Sequence, residues 1–399
     1  MSGSGTATTA AAEPVKLLME ETAVKIMRPL SAVGIVASAA LVLAACGTDP
    51  AASNSSGSSS AAAPAATETA DVQCGGKSPL SAEGSSAQKN AIDIFTQQYG
   101  KRCSGQQVNY NPSGSGAGVK QFNANQIDFG GSDSPIKDAD AEAAKARCGS
   151  EAWNIPLVVG PIAVAYKLSG VDKLVLTPSV TAKIFSGAIT KWNDPAIKAV
   201  KGNESLNLPD KAIQVVSRSD ESGTTDNFQK YLAAAAKADW TKGAGKKFNG
   251  GVGNGAQGSN GVATAVKASD GGITYVEGAF AKDGLTPALI DSGSGGVELT
   301  SANVAKSLDA AKFLKDGSND LALDLNGIYA SNTPGAYPLL LTTYEIVCSK
   351  YSNPDVAKAV KAFLTVAATD GQQPLSAKGY VPIPQSLQTK VLTAVKAIS

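Results

Sequence analysis

Ile155-Pro156-Leu157-Val158-Val159-Gly160-Pro161-Ile162-Ala163-Val164-Ala165-Tyr166 is almost wholly apolar and carries two prolines. Proline inside a helix removes a backbone donor and clashes with the preceding turn, so this run reads as buried strand or as a crossover between two lobes. N-terminal to it, short strand patterns alternate with amphipathic helices. Ala87, Ala91, Ile94, Phe95 and Tyr99 fall on one helical face, followed by a strand around Val108 to Tyr110, a helix from about Gly118 and a strand at Ile127 to Phe129. Further elements are expected at Val180 to Phe185, Ile213 to Val216, Phe228 to Ala238, Gly272 to Val276, Tyr344 to Val347 and Val356 to Ala367. The alternation predicts an α/β fold. The glycine-rich stretch Gly250 to Gly261 reads as a loop, and no internal repeat is visible.

The chain has 399 residues, 43% hydrophobic and 17% charged, which is enough material for a large core divided between two domains. Its 35 basic and 34 acidic residues nearly cancel, so no global field attracts nucleic acid or an acidic membrane surface. Any anion must be held by local groups. The absence of histidine removes the usual general base near neutral pH, the Ser-His and Cys-His pairs, and the commonest zinc ligand. No metal or cofactor is expected.

Leu30 to Ala45 is an uncharged, mainly apolar run of about 16 residues, too short for a comfortable membrane span. It follows Lys25 and Arg28 and ends in Leu43-Ala44-Ala45-Cys46. Small residues before a cysteine suit a signal peptidase, so residues 1–46 are expected to be leader and signal peptide, with Met19 and Met27 as alternative starts. Residues 47–70 are nearly all Ala, Ser, Gly, Thr and Pro, a flexible linker that cannot bury a core. The folded body then begins near Asp71 with four cysteines, Cys74, Cys103, Cys148 and Cys348. An even number in an exported chain predicts two disulfides, and the spacings are too wide for a compact zinc module. Three pairings are open; Cys103 with Cys148 and Cys74 with Cys348 is the expected one.

Three Ser/Gly-rich loops each precede a helical pattern: Gly84-Ser85-Ser86-Ala87, Ser113 to Gly118, and Asp220-Glu221-Ser222-Gly223-Thr224-Thr225. Helix N-termini offer unpaired N–H groups and partial positive charge, glycine admits close approach, and serine adds a hydroxyl donor. Each loop alone reads equally well as an ordinary N-cap. Arg218, just ahead of the third, adds a planar fork of donors suited to phosphoryl oxygens, and Asp220 either caps or holds the guanidinium, the plain alternative being a surface ion pair. In Phe129-Gly130-Gly131-Ser132-Asp133-Ser134-Pro135 a carboxylate follows a buried strand. Asp133 reads plainly as an Asx-turn and more sharply as an acceptor for a proton on the ligand. Phosphate near neutral pH still has such a proton, whereas sulfate has none.

These segments resemble those of the phosphate-binding proteins of Pst-type ABC transporters, in a form similar to actinobacterial lipoproteins. The likeness runs from about Cys74 to the C-terminus and includes Gly-Ser-Ser-Ala at 84–87, Gly-Ser-Gly-Ala-Gly-Val-Lys-Gln at 114–121, Phe-Gly-Gly-Ser-Asp at 129–133, Ile-Phe-Ser-Gly-Ala-Ile-Thr-Lys-Trp at 184–192, Arg-Ser-Asp-Glu-Ser-Gly-Thr at 218–224, Gly-Ile-Thr-Tyr-Val-Glu at 272–277 and Ala-Tyr-Pro-Leu at 336–339. The Leu-Ala-Ala-Cys stretch resembles a lipobox, which implies acylation of Cys46. The resemblance implies a periplasmic-binding-protein-like (type II) α/β fold with the ligand in the cleft, lobe I at 71–157 plus 342–399 and lobe II at 158–341. The two crossovers are expected near Pro156 to Gly160 and Leu341 to Tyr344. Implied phosphate contacts are Ser86, the Ala87 N–H, Ser115, Asp133 as acceptor, Arg218, Ser222, Gly223 and Thr224. Ser86 stands where many relatives have Thr, and Ala87 where some have a bulkier residue, with the relevant donors kept. Trp192 lies outside that set and is expected in the core.

The implied function is capture of inorganic phosphate at the outer face of the cell membrane by a lipid-anchored monomer. Delivery to a permease and its ATPase follows; no nucleic acid is involved. The competing readings are a serine phosphatase or hydrolase using Ser222 or Ser115, a binding protein for sulfate or molybdate, and a surface adhesin. No Ser-x-x-Lys spacing supplies either serine with a base, which disfavours the first. Asp133 opposes the second.

Overall fold

The proline-bearing run lies inside β4, Ala152–Lys167, a 16-residue strand in a nine-stranded sheet. The computed structural model describes residues 71–308 and 311–399. The expected leader, the lipidated Cys46 and the linker at 47–70 lie outside the described residues.

The strands of this sheet are β1 (Leu80–Gly84), β2 (Val108–Asn111), β3 (Phe129–Ser132), β4, β5 (Gln214–Arg218), β6 (Asn254–Ala256), β7 (Gly272–Glu277), β8 (Thr286–Pro287) and β9 (Leu340–Cys348). Their order is β2-β1-β3-β9-β4-β7-β5-β6, with β8 beside β4. Two parallel blocks, β2-β1-β3 and β7-β5-β6, flank the antiparallel pair β9-β4. Every position of β9 and almost every position of β4 is buried, so neither alternates between apolar and exposed polar residues; β4 is apolar from Ile155 to Tyr166, while β9 buries Thr342, Thr343 and Glu345. The Pro156 ring is tolerated because the β4–β9 ladder shifts register between Thr343 and Tyr344, where Tyr344 pairs with Pro156, and Pro161 pairs with Leu340, the first residue of β9, at the end of that ladder.

Helices α1 (Lys89–Arg102), α2 (Ser115–Asn123), α3 (Asp138–Cys148), α4 (Pro178–Phe185), α5 (Gly223–Ala235), α6 (Gly258–Lys267), α7 (Pro354–Ala368) and α8 (Gln385–Ala397) include the longest ones of the described chain. The predicted apolar face of α1 is buried at Ala91, Ile94, Phe95 and Tyr99. Trp192 is fully buried and donates its ring N–H to the Gly271 carbonyl at 3.0 Å. The stretch read as one loop, Gly250 to Gly261, instead contains β6 and the start of α6. Glycine hid them: β6 has one apolar side chain, Ala256, and gains its place by pairing with β5.

The disulfide expectation is corrected. Cys74 bonds Cys103, and Cys148 bonds Cys348. The β4–β9 register decides this by placing Cys348 opposite Ala152, four residues past Cys148, while Cys103 at the end of α1 meets the segment that leads into β1. The sequence separations are 200 and 29, so in the chain-entropy account the longer loop restrains the unfolded chain by about 1–2 kcal/mol more. A Cys148→Ser/Cys348→Ser protein should therefore melt below a Cys74→Ser/Cys103→Ser protein in calorimetric scans. Equal or inverted melting temperatures would refute that ordering.

Candidate functional site

The loops singled out by their Ser and Gly content follow the carboxyl ends of parallel strands, the usual ligand position in open α/β sheets. Gly84 ends β1 and leads to Ser85 and Ser86; Ser132 ends β3 and leads to Asp133; Arg218 ends β5 and leads to Ser222 and α5. Gly84 must be glycine: its φ is +148°, and a Cβ there would lie 2.0 Å from the Gly131 carbonyl oxygen. Helices α1, α2 and α6 begin without a side-chain cap. Only α5 is capped among these four: Ser222 Oγ accepts from Thr225 N at 3.2 Å, so this serine is the ordinary N-cap as well as a lining residue.

Asp133 is 2% exposed and surrounded by hydroxyls. Its Oδ1 accepts from Ser85 Oγ at 2.5 Å and from Thr343 Oγ1 at 2.8 Å. Its Oδ2 meets Ser115 Oγ at 3.3 Å and Thr224 Oγ1 at 3.4 Å, longer than normal for O–H···O. One oxygen is thus saturated, and the other keeps acceptor capacity. Asn227 fixes the backbone here by donating to the Asp133 carbonyl at 2.7 Å and the Gly223 carbonyl at 2.9 Å. Burial pushes the Asp133 carboxyl up, against the opposing effects of Ser85, Thr343, the Arg218 charge and Ser115.

Arg218 is 4% exposed, and its guanidinium grips Asp220 through Nε to Oδ1 at 2.7 Å and Nη2 to Oδ2 at 2.5 Å. This is a buried bidentate pair rather than a surface one. Burial alone would raise Asp220, but the hydrogen bonds and charge of Arg218 outweigh it and hold the carboxyl below its ordinary range. Asp220 Oδ1 also accepts from Gly258 N at 2.9 Å, tying the start of α6 to the pair. Arg218 Nη1 points toward Ser259 Oγ at 3.5 Å. Ser259 in turn meets Ser86: its N–H donates to Ser86 Oγ at 3.0 Å, and the two hydroxyls lie 3.1 Å apart. The Ala87 N–H donates to Ser85 Oγ at 3.1 Å. Across the mouth, Gly116 N donates to the Glu221 carbonyl at 2.9 Å, and Lys120 pairs with Glu221 at 2.6 Å.

The structure therefore gathers Ser115, Asp133, Gly223 and Thr224 into one cluster and Ser86 and Arg218 into another. The Arg218 charge acts on Asp133, which joins them. Ser85, which lies in a loop the sequence marks but outside the implied contact set, and Ser259 and Thr343, which the sequence does not mark, border the same clusters. Ser259 carried the same signal as the other loops: Gly258-Ser259 stands directly before the apolar positions Val262, Ala263 and Val266 of a helix. Thr343 gave none, since it sits inside a buried strand. A cavity of 590 Å³ lined by Asp133, Ser134, Asp226, Asn227 and Tyr329 opens beside the cluster. A larger one of 890 Å³, apolar and bordered by Lys350, Lys358, Lys361 and Lys396, shares no residue with it.

Two parallel blocks flanking an antiparallel strand pair, with anion donors at their carboxyl ends, define a solute-binding protein. Residues 52–370 match the family described as the PBP superfamily domain. The chain is 49% identical over 378 residues to the phosphate-binding protein PstS 3 of Mycobacterium tuberculosis, covering 94% of this chain and all of that one. It is 47% identical over 372 residues to PstS 3 of Mycobacterium leprae, covering 92% and 98%. In three dimensions it is similar to the phosphate-binding protein of Stenotrophomonas maltophilia, with TM-score 0.62, 20% identity, and coverage of 79% of this chain and 94% of that one. The chain belongs to the PstS family of phosphate-binding proteins, within the PBP superfamily. That family consists of transport proteins, not enzymes.

Proposed function

We propose that this chain captures inorganic phosphate outside the cytoplasm and delivers it to the permease of an ABC importer. The observation that carries the reading is Asp133 Oδ2, a buried carboxylate oxygen with spare acceptor capacity among the hydroxyls of Ser115 and Thr224. An anion bound there needs donors for most of its oxygens, which Arg218, Ser86, Ser115, Thr224 and first-turn amides of α2 and α5 supply. It also needs one proton for Asp133. Hydrogen phosphate has one and sulfate does not. Ser86, Ala87, Ser115, Asp133, Arg218, Ser222, Gly223 and Thr224 are the proposed ligand set, extended by Ser259.

The β4–β9 pair supports a lobe boundary near residues 157 and 342, with phosphate enclosed as lobes 71–157 plus 342–399 and 158–341 close on it. The Lys120–Glu221 pair and the Gly116–Glu221 bond already join the two proposed lobes, which supports a closed arrangement. Residues 43–46 support lipidation at Cys46, with 47–70 as tether. Among the described residues, no helix is long and apolar enough to cross a membrane. Isothermal calorimetry with phosphate and sulfate tests the assignment: one phosphate per chain and negligible sulfate binding are expected. Equal affinities for the two anions would overturn it.

A further inference from the structure

Glu345 lies in the middle of β9, opposite Gly131 of β3, and is completely buried. Neither carboxyl oxygen has a hydrogen-bond partner among the described residues, and the same is true of Gln88 Oε1. Gln88 is its polar neighbour through Gly131, the residue opposite Glu345 that also lies against Gln88 Nε2. Gly131 makes room for this arrangement, because a Cβ there would lie 2.4 Å from Gln88 Nε2 and 2.5 Å from Tyr110 Oη.

Donor and acceptor bookkeeping fixes the proton. The Tyr110 hydroxyl donates to the Ser85 carbonyl at 2.8 Å, a group that can only accept. Having one hydrogen, Tyr110 Oη must accept from its other neighbour, so Gln88 turns its NH₂ toward it at 3.0 Å. That leaves Gln88 Oε1 facing away in need of a donor. An ionised Glu345 leaves this oxygen and both carboxyl oxygens as buried acceptors without a donor, whereas a protonated one supplies the missing O–H. We propose that Glu345 is held as the neutral acid, donating to Gln88, and that it is a positioning residue for phosphate. It acts through the chain Glu345–Gln88–Tyr110–Ser85, which ends on Asp133 through the Ser85 hydroxyl at 2.5 Å. This inference rests on the phosphate reading above.

The electrostatics agree. Burial pushes Glu345 up to about 8, against the opposing effect of the Gln88 side chain, and the nearby Asp133 adds to the rise. The titratable groups facing it are Asp133 after β3 and Tyr110 on β2, the latter also pushed far up by burial. On β4 its ladder neighbour is Ile155, and on α5 the charged pair Asp226–Lys230 is bonded to itself. Because the folded state holds this proton more tightly than the unfolded chain, the stability it contributes is greatest in acid. That contribution is lost as pH rises from the ordinary carboxylate range through about 8. Above that pH a new charge appears behind Asp133, and the chain loses its first donor.

The test is phosphate Kd against pH by calorimetry, from neutral to well above 8, where phosphate itself is already the dianion. Wild-type Kd should rise, approaching tenfold per pH unit once Glu345 ionises. Glu345→Gln, neutral and still a donor, should stay within about threefold of wild type at neutral pH and lose that slope. Glu277→Gln should keep it, since Glu277, also buried, accepts instead from Ala279 N. A slope that persists in Glu345→Gln, or that vanishes only in Glu277→Gln, overturns the proposal. Should Glu345→Gln not fold, a flat wild-type Kd above pH 8 overturns it alone. Absence of phosphate binding at every pH would instead sink the functional reading. In that case the protonated-carboxyl infrared band at neutral pH, weaker in Glu345→Gln than in wild type by one carboxyl beside any contribution of the buried Glu277, still decides the state of Glu345.

Discussion

Arg218→Ala protein should bind phosphate about a hundredfold more weakly or worse, and should also unfold at lower temperature. The affinity loss follows from burial. A guanidinium that is 4% exposed faces an anion in a medium that screens little, and truncating one partner of such a charge pair costs about 2–5 kcal/mol. The stability loss has a separate origin. Asp220 would keep its hydrogen bond from Gly258 N but lose both guanidinium bonds, leaving a partly buried charge without its counter-ion, at a cost of about 1–3 kcal/mol. The two effects can be separated: Arg218→Ala/Asp220→Asn should recover most of the melting temperature and none of the affinity. Arg218→Lys, with the charge but not the fork, should fall between wild type and Arg218→Ala. Wild-type phosphate affinity in Arg218→Ala would remove this residue from the site.

Replacing Asp133 with Asn should narrow the preference for phosphate over sulfate by about a hundredfold or more. The amide oxygen can take the place of Oδ1, keeping the bonds from Ser85 and Thr343. Its NH₂ then occupies the place of Oδ2, where it faces a phosphate proton with another donor and offers sulfate a hydrogen bond. Phosphate affinity should fall while sulfate affinity rises. The ligand-free protein should be no less stable than wild type, because burial disfavours the ionised carboxylate that the substitution removes. Calorimetry with both anions and thermal unfolding without ligand check the two halves. Unchanged discrimination would mean that selectivity resides elsewhere in the cluster.

Much of this site was legible because its chemistry is local. A Ser/Gly loop before an amphipathic helix states a helix N-terminus and its donors within a few residues, as at 84–87, 113–118 and 220–225. Ser259 shows the limit of that signal, since glycines around β6 hid the strand that makes Gly258 a helix start. Thr343 and Glu345 show a harder limit. Alternate residues of a strand point to opposite faces, and in a strand buried throughout no polarity pattern tells which face meets the ligand. The cysteines failed for a related reason: the Cys148–Cys348 bond depends on a ladder between strands far apart in the chain.

By itself the sequence determined the α/β class, the donor-rich helix starts, and the presence of Arg218 and Asp133 without histidine, because periodicity, caps and residue chemistry act over a few residues. Only the tertiary structure decided that Arg218 is held by Asp220 in a buried pair, that one oxygen of Asp133 is saturated and the other open, which cysteines meet, and that Glu345 needs a proton. Those properties depend on the register of β9 between β3 and β4, which brings groups hundreds of residues apart within hydrogen-bond distance and removes the water that would otherwise satisfy them.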